Sequence, residues 1–194
     1  MDLFNSATIT SFFLGIGLAA SAGFRVFLPL FAVSLGAHFG QDLIQLNENW
    51  QWIGGWPAMI TLGVATLIEI AAYYIPVVDN FLDTIAVPVA AIAGTLLMAS
   101  TLLDTGGMAT WALAIIAGGG TAAAVSGTTA ATRAASTGTT GGTGNFLVNT
   151  GETAAASVLS LASLIWAPLA FVLVLILLYF IYRLWKWVKK KQPT

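Results

Sequence analysis

Apolar residues fill the chain in long blocks, and polar residues gather in short stretches between them. Long blocks carry no charged residue at all, among them 3–24, 84–103, 105–132 and 153–182. Each is near or above the ~20 residues that cross a hydrocarbon core. Runs such as "FVLVLILLYFIY" do not alternate as membrane-barrel strands do. The pattern predicts an all-α, polytopic membrane bundle with roughly five spans. It forms a single transmembrane domain over residues 1–194.

The first segment, about 8–37, is too long for one upright helix, since ~30 residues rise ~45 Å against a ~30 Å core. Gly23 and Pro29 bracket Arg25 and predict a kink or break there. Residues 39–52, "FGQDLIQLNENWQW", read as a loop or an interfacial helix. Trp50, Trp52 and Trp56 fit the aromatic belt at the headgroups. Pro57 opens a second segment that reaches about Tyr74, and Pro76 ends it. After "DNFLDT" a third segment covers about 84–103, and "DTGG" at 104–107 reads as a turn. A fourth starts at Met108 and becomes rich in small residues from 117 to 144. The stretch 134–151, "AASTGTTGGTGNFLVNTG", predicts tight packing or a re-entrant loop, so a broken Gly/Thr-rich element is expected near 117–150. The last apolar run, 153–185, is again too long for one span, and Pro168 offers a place to split it.

Composition agrees with lipid as the solvent. The 194 residues are 58% hydrophobic and 8% charged, whereas a soluble domain carries about a quarter charged residues. Cysteine is absent, which excludes disulfides, thiolate catalysis and cysteine metal sites. His38 stands alone and argues against a histidine metal centre. No Walker, GxGxxG or HExxH pattern occurs, so neither an enzyme nor a cofactor is expected, and nothing points to nucleic acid. Five of the seven basic residues, Arg183, Lys186, Lys189, Lys190 and Lys191, crowd the end of the chain. Basic residues beside a membrane helix mark the cytoplasmic side, so 186–194 reads as a cytoplasmic tail of a multi-pass inner-membrane protein. At the other end "FFLGIGLAASA" lacks the basic flank of a signal peptide and reads as a retained membrane segment.

The few remaining charges are the candidate chemistry. An ionisable group at the bilayer centre costs at least ~2.5 kcal/mol and therefore has a partner or a wet cavity. Arg25 and Arg133 sit in apolar surroundings, and a guanidinium suits phosphate or carboxylate. Glu69 lies inside the second segment with Tyr73 one turn on. It either neutralises an arginine or carries a proton or cation. Asp79 and Asp83, four apart, read first as capping acids after Pro76, and otherwise as arginine partners or a cation site. Glu152 follows Asn149 by three, a spacing that resembles a capping box. Asp104 reads as a turn residue.

An internal echo runs through the chain. "AASAGFR" is answered by "GTTAATR", and "DNFLDT" by "GNFLVNT". The order predicts two repeat halves, 1–105 and 106–185, as in many transporters.

"GLAASAGFRVFLPLFAVSLGAHFG", "EIAAYYIPVVDNFLDTIAVPVAAIAG" and the small-residue run through "NTGE" resemble a bacterial family of small integral membrane proteins, domain of unknown function 4126. The resemblance covers about 10–170 and implies a membrane bundle without assigning an activity. DedA-type lipid transporters offer a looser architectural analogy, with arginines and acids on re-entrant hairpins.

The expected function is a small transporter or flippase for an anionic solute or lipid phosphate. Arg25 and Arg133 would bind the anion, Glu69 would couple protons, and Asp79, Asp83 and Glu152 would hold the arginines in the empty state. The alternative is a non-transporting assembly protein that packs its small-residue faces against lipids, its own copies or other membrane proteins.

Overall fold

The computed structural model describes residues 6–40, 44–103 and 107–190, without the side chains of Pro76 and 188–190. Asp2, Asp42, Asp104, Lys191 and most of the expected 104–107 turn lie outside these residues. All regular structure among the described residues is helical: α1 (Ser6–Ala22), α2 (Phe27–Phe39), a 3-10 helix (Glu48–Gly54), α3 (Trp56–Ala72), α4 (Pro76–Thr101), α5 (Gly107–Leu113), a π-helical segment (Ala114–Gly119), α6 (Gly120–Thr140), α7 (Asn145–Ile165) and α8 (Ala167–Lys190). Three helical stretches are long and apolar enough to cross a membrane: Val77–Thr101, Gly107–Thr140 and Ala167–Trp187. The 3-10 helix and α3, bent by 65° at their junction, meet that test only jointly. Large apolar side chains face outward, among them Leu67, Ile68, Ile116, Leu175 and Phe180. A water-facing surface rarely carries such broad apolar area, so the exterior suits lipid.

The first apolar run breaks where Arg25 stands. α1 ends at Ala22, and residues 23–26 separate it from α2. At 17 and 13 residues, the two helices rise ~25 and ~20 Å, each short of a ~30 Å core. Pro29 falls in the first turn of α2, where a missing N–H breaks no helical bond. The centre of the bundle is α1, packed on α4, α7 and α8. Small residues let it sit there. A Cβ at Gly17 would run into Ser163 and Ala170, and one at Gly23 would lie 2.7 Å from the Ala122 carbonyl. Leu18 and Ala20 are completely covered, and Ser21 Oγ is hydrogen-bonded to the Ala156 carbonyl and Ser160 Oγ, each at 2.8 Å. Interhelical hydroxyl bonds of this kind join membrane helices that lack a hydrophobic drive to associate.

Several expected boundaries shift. The third segment begins at Pro76, not near 84, because the proline opens the helix at its first turn and Asp79 and Asp83 lie within it. The 39–52 stretch contributes the start of the 3-10 helix. The Gly/Thr-rich run is helical through Thr140, so no re-entrant coil occupies 134–140. Several of its threonines return their hydroxyls to carbonyls four residues back, as Thr132 to Thr128 and Thr139 to Ala135 do. The break is confined to 141–144, where Gly141 (φ 63°) and Gly142 (φ 90°) take left-handed backbone that side chains resist. Upstream, α4 and the π segment approach so closely that a Cβ on Gly94 would lie 2.7 Å from the Gly118 carbonyl. The last apolar run breaks at Trp166, just before Pro168, and α8 then continues through the expected tail to Lys190.

Candidate functional site

Arg25 leaves the α1–α2 break and points into α7. Its Nε donates to Thr153 Oγ1 and its Nη2 to the Asn149 carbonyl, both at 3.0 Å. That carbonyl also accepts the Thr153 hydroxyl, so one turn of α7 presents a fixed pair of neutral oxygens. Nη1 lies 3.6 Å from Glu152 Oε2. The guanidinium is fully buried and stacks on the Tyr73 ring, with Cζ 3.9 Å from the centroid. Desolvated cation–π contacts of this kind contribute about 2 kcal/mol.

Arg133 reaches the same ring from α6, its Cζ 4.6 Å from the centroid. It is held by acids. Nη1 lies 3.3 Å from Asp79 Oδ1 and 2.9 Å from Asp83 Oδ1, and Nε lies 3.4 Å from Glu152 Oε1. Glu152 thus stands between both guanidinium groups. Its two oxygens, Arg25 Nη1 and Arg133 Nε make no aligned hydrogen bond. The Asp79–Asp83 spacing puts both acids on one face of α4, towards Arg133. Asp79 Oδ2 accepts from Asn145 Nδ2 at 3.2 Å, and Asn149 Nδ2 donates to the Tyr73 carbonyl at 2.6 Å.

Glu69 does something else. Its two oxygens accept the backbone N–H groups of Val26 and Phe27 at 2.7 and 2.9 Å. It therefore caps α2 from another helix, where a carboxylate is favoured by the orphan amides and the dipole. It forms no salt bridge with Arg25 or Arg133 among the described residues. The capping reading fails instead for Glu152, which lies in the third turn of α7 because that helix starts at Asn145, not after Asn149. It also fails as the main account of Asp79 and Asp83, whose carboxylates go to Arg133. Of the seven expected residues, Arg25, Arg133, Tyr73, Asp79, Asp83 and Glu152 converge, while Glu69 supports the break one residue beyond Arg25.

A cavity of about 310 Å³ adjoins the cluster. Tyr73, Asp79, Asn145 and Asn149 form its inner wall, Tyr74 and Phe146 flank it with rings 5.3 Å apart, and the Gly141–Gly142 turn borders it.

One family model matches residues 12–187, the domain of unknown function DUF4126. The chain belongs to this family. No curated protein and no solved structure matches it. Membership in the DUF4126 family and the apolar helices agree on a helical membrane protein.

Three contributors to the site escaped the sequence reading. Asn145, Asn149 and Thr153 recur every four residues along α7 and so share the face that carries Glu152. Polar residues at helical spacing in an apolar chain were the available signal. "GNFLVNTGE" read as a loop and a capping start concealed it.

Proposed function

We propose that the chain is a small membrane carrier that switches at the Arg25–Glu152–Arg133 cluster. One observation carries this reading: Glu152 faces two buried guanidinium groups at 3.6 and 3.4 Å with an aligned hydrogen bond to neither. A buried pair built only for stability gains from good geometry and full hydrogen bonding. Loose pairs exchange partners at low cost, and a carrier needs two arrangements that its guest distinguishes. Proton coupling falls to Glu152 in this reading, since both oxygens of Glu69 are committed to backbone amides. The arginine-bound anion has less support, because every guanidinium already faces acid. The reading puts the protein in the inner membrane with its basic end cytoplasmic, and α3 and α7 join the three apolar helices as spans to give roughly five.

Proteoliposomes test it. Purified protein with a pH-sensitive dye enclosed should pass protons down an imposed gradient faster than empty vesicles, and Glu152→Gln should remove the excess. If the unmodified protein matches empty vesicles for protons and for charged solutes, the carrier reading is dropped.

A non-transporting assembly protein is the second reading. The observation in its favour is an apolar groove of about 910 Å³ between Ala123, Ala124 and Gly127 of α6 and Ile181, Tyr182 and Trp185 of α8. Small residues on such a face suit a neighbouring helix. Co-purification of a partner that Gly127→Leu releases, with no flux, would favour it.

A further inference from the structure

The groove between α6 and α8 lies where α8 leaves the apolar zone. Trp166 and Trp185 are both exposed and stand nineteen residues apart, ~28 Å at helical rise, close to the ~30 Å of a hydrocarbon core. Tryptophans gather at the headgroups, so Trp185 marks one boundary of the core. At that level Tyr182, Trp185 and Lys186 of α8 form one wall of the groove, and Ala124 and Gly127 of α6 form the other. The volume between them is about 910 Å³. A Cβ placed on Gly127 would meet no packed neighbour within 4 Å, so the space over it is open.

A void between apolar walls forfeits dispersion contacts, so in a bilayer either a lipid chain or a neighbouring helix fills this one. The two occupants exclude each other, and charge separates them. Lys186 lines the groove and is exposed, and neither it nor Arg183 forms a salt bridge among the described residues. Lys189 and Lys190 follow it by three and four residues in the same helix. Asp79, Asp83 and Glu152 are turned to the buried arginines and Glu69 to the α2 amides. A helix laid over Lys186 would take its ammonium out of water unless it brought an acid of its own, and an unpaired buried charge is costly. A phospholipid carries its phosphate at the depth that Trp185 marks. Basic residues beside grooves between membrane helices recognise anionic headgroups in this way.

We infer that this groove seats one anionic phospholipid, with an acyl chain over Ala124 and Gly127 and the headgroup phosphate on Lys186. The inference goes beyond the carrier reading and needs no transport. It competes with the assembly reading for the same face.

The full chain in detergent tests it, with retained lipid counted by native mass spectrometry. The probes are phosphatidylglycerol, phosphatidylcholine and inorganic phosphate. One phosphatidylglycerol should stay bound in preference to phosphatidylcholine, and inorganic phosphate should not displace it. Gly127→Ala fits the open space and should keep the lipid, whereas Gly127→Phe fills the groove and should expel it. Lys186→Gln should lower the preference for the anionic lipid about fivefold, the equivalent of ~1 kcal/mol for one basic residue at the surface. Arg183→Gln removes a charge from the same end but not from the groove's described lining, and should lower the preference less. If Gly127→Phe does not fold, the contrast between the two charge variants decides alone. Equal losses from both charge variants mean diffuse attraction to the basic end and overturn the site. Equal retention of the two lipids, retention by a folded Gly127→Phe, or no retained lipid also overturns it. So does a lipid-free dimer that Gly127→Phe separates, which gives the groove to a second copy of the chain. Proton flux bears on none of these outcomes.

Discussion

Arg25 and Arg133 are both buried, both stacked on Tyr73 and both turned to Glu152, yet they are anchored by different physics. Arg25 emerges from a helix break and spends its directed donors on a hydroxyl and a carbonyl of α7, with one acid at long range. Arg133 stands within a regular helix and meets three acids from α4 and α7. The first position is set by shape, the second by charge. The difference matters for any rearrangement. Neutral, directed bonds hold one geometry, whereas a cation among several carboxylates can redistribute among them. If the cluster switches, Arg133 and its acids are the side that moves, and Arg25 is the pivot.

The largest effect should follow from removing the charge-held arginine. Arg133→Met keeps the bulk but leaves the buried Asp79 and the partly buried Asp83 without their paired cation. The expected loss is about 3–5 kcal/mol, read as a lowered unfolding midpoint in detergent. Arg25→Met should cost less, because Glu152 keeps Arg133 and the α7 oxygens keep their own helical bond. Equal losses, or the reverse order, would break the comparison.

A milder pair of substitutions sharpens it. Lysine keeps the charge and gives up the planar fork. Arg25→Lys forfeits two bonds from a charged donor and should cost about 1.5–3 kcal/mol. Arg133→Lys should cost less than about 1.5 kcal/mol, since an ammonium serves as a point charge among carboxylates. Unfolding midpoints of the four arginine variants, measured in one detergent, give both contrasts.

How much of this was readable beforehand follows from which interactions are local. Gly23 and Pro29 around Arg25 disclosed the break, because a helix of that length cannot stand upright in a bilayer. Pro57 marked a helix start and Pro168 the break before one, since proline suits the first turn, whereas Pro76, read as the end of one segment, opens the next. Span count was less legible: α1 and α2 are short and α7 is polar, so apolar length alone does not sort them. That Arg133 needs acids was implied by its burial cost. Which acids it takes depends on α4 packing against α6, a contact between residues 54 apart in the chain. Local motifs misled in the same way. Asn149-x-x-Glu152 has the spacing of a cap, but a helix that begins four residues earlier turns both side chains into the core.

The smallest effect concerns the support of the pivot. Glu69→Gln keeps one carbonyl oxygen for the Val26 or Phe27 amide and sets an NH2 group against the other. It also removes a negative charge from the start of α2. About 1–2 kcal/mol should be lost. Because Val26 and Phe27 directly follow Arg25, the loosened break should act on Arg25 alone. The cost of Glu69→Gln and that of Arg25→Lys should therefore fall short of additive in a double-variant cycle, while Glu69→Gln and Arg133→Lys should add within about 0.5 kcal/mol. Coupling of Glu69 to Arg133 as strong as its coupling to Arg25 would show that the two arginines behave as one unit, and the division between pivot and moving side would fall.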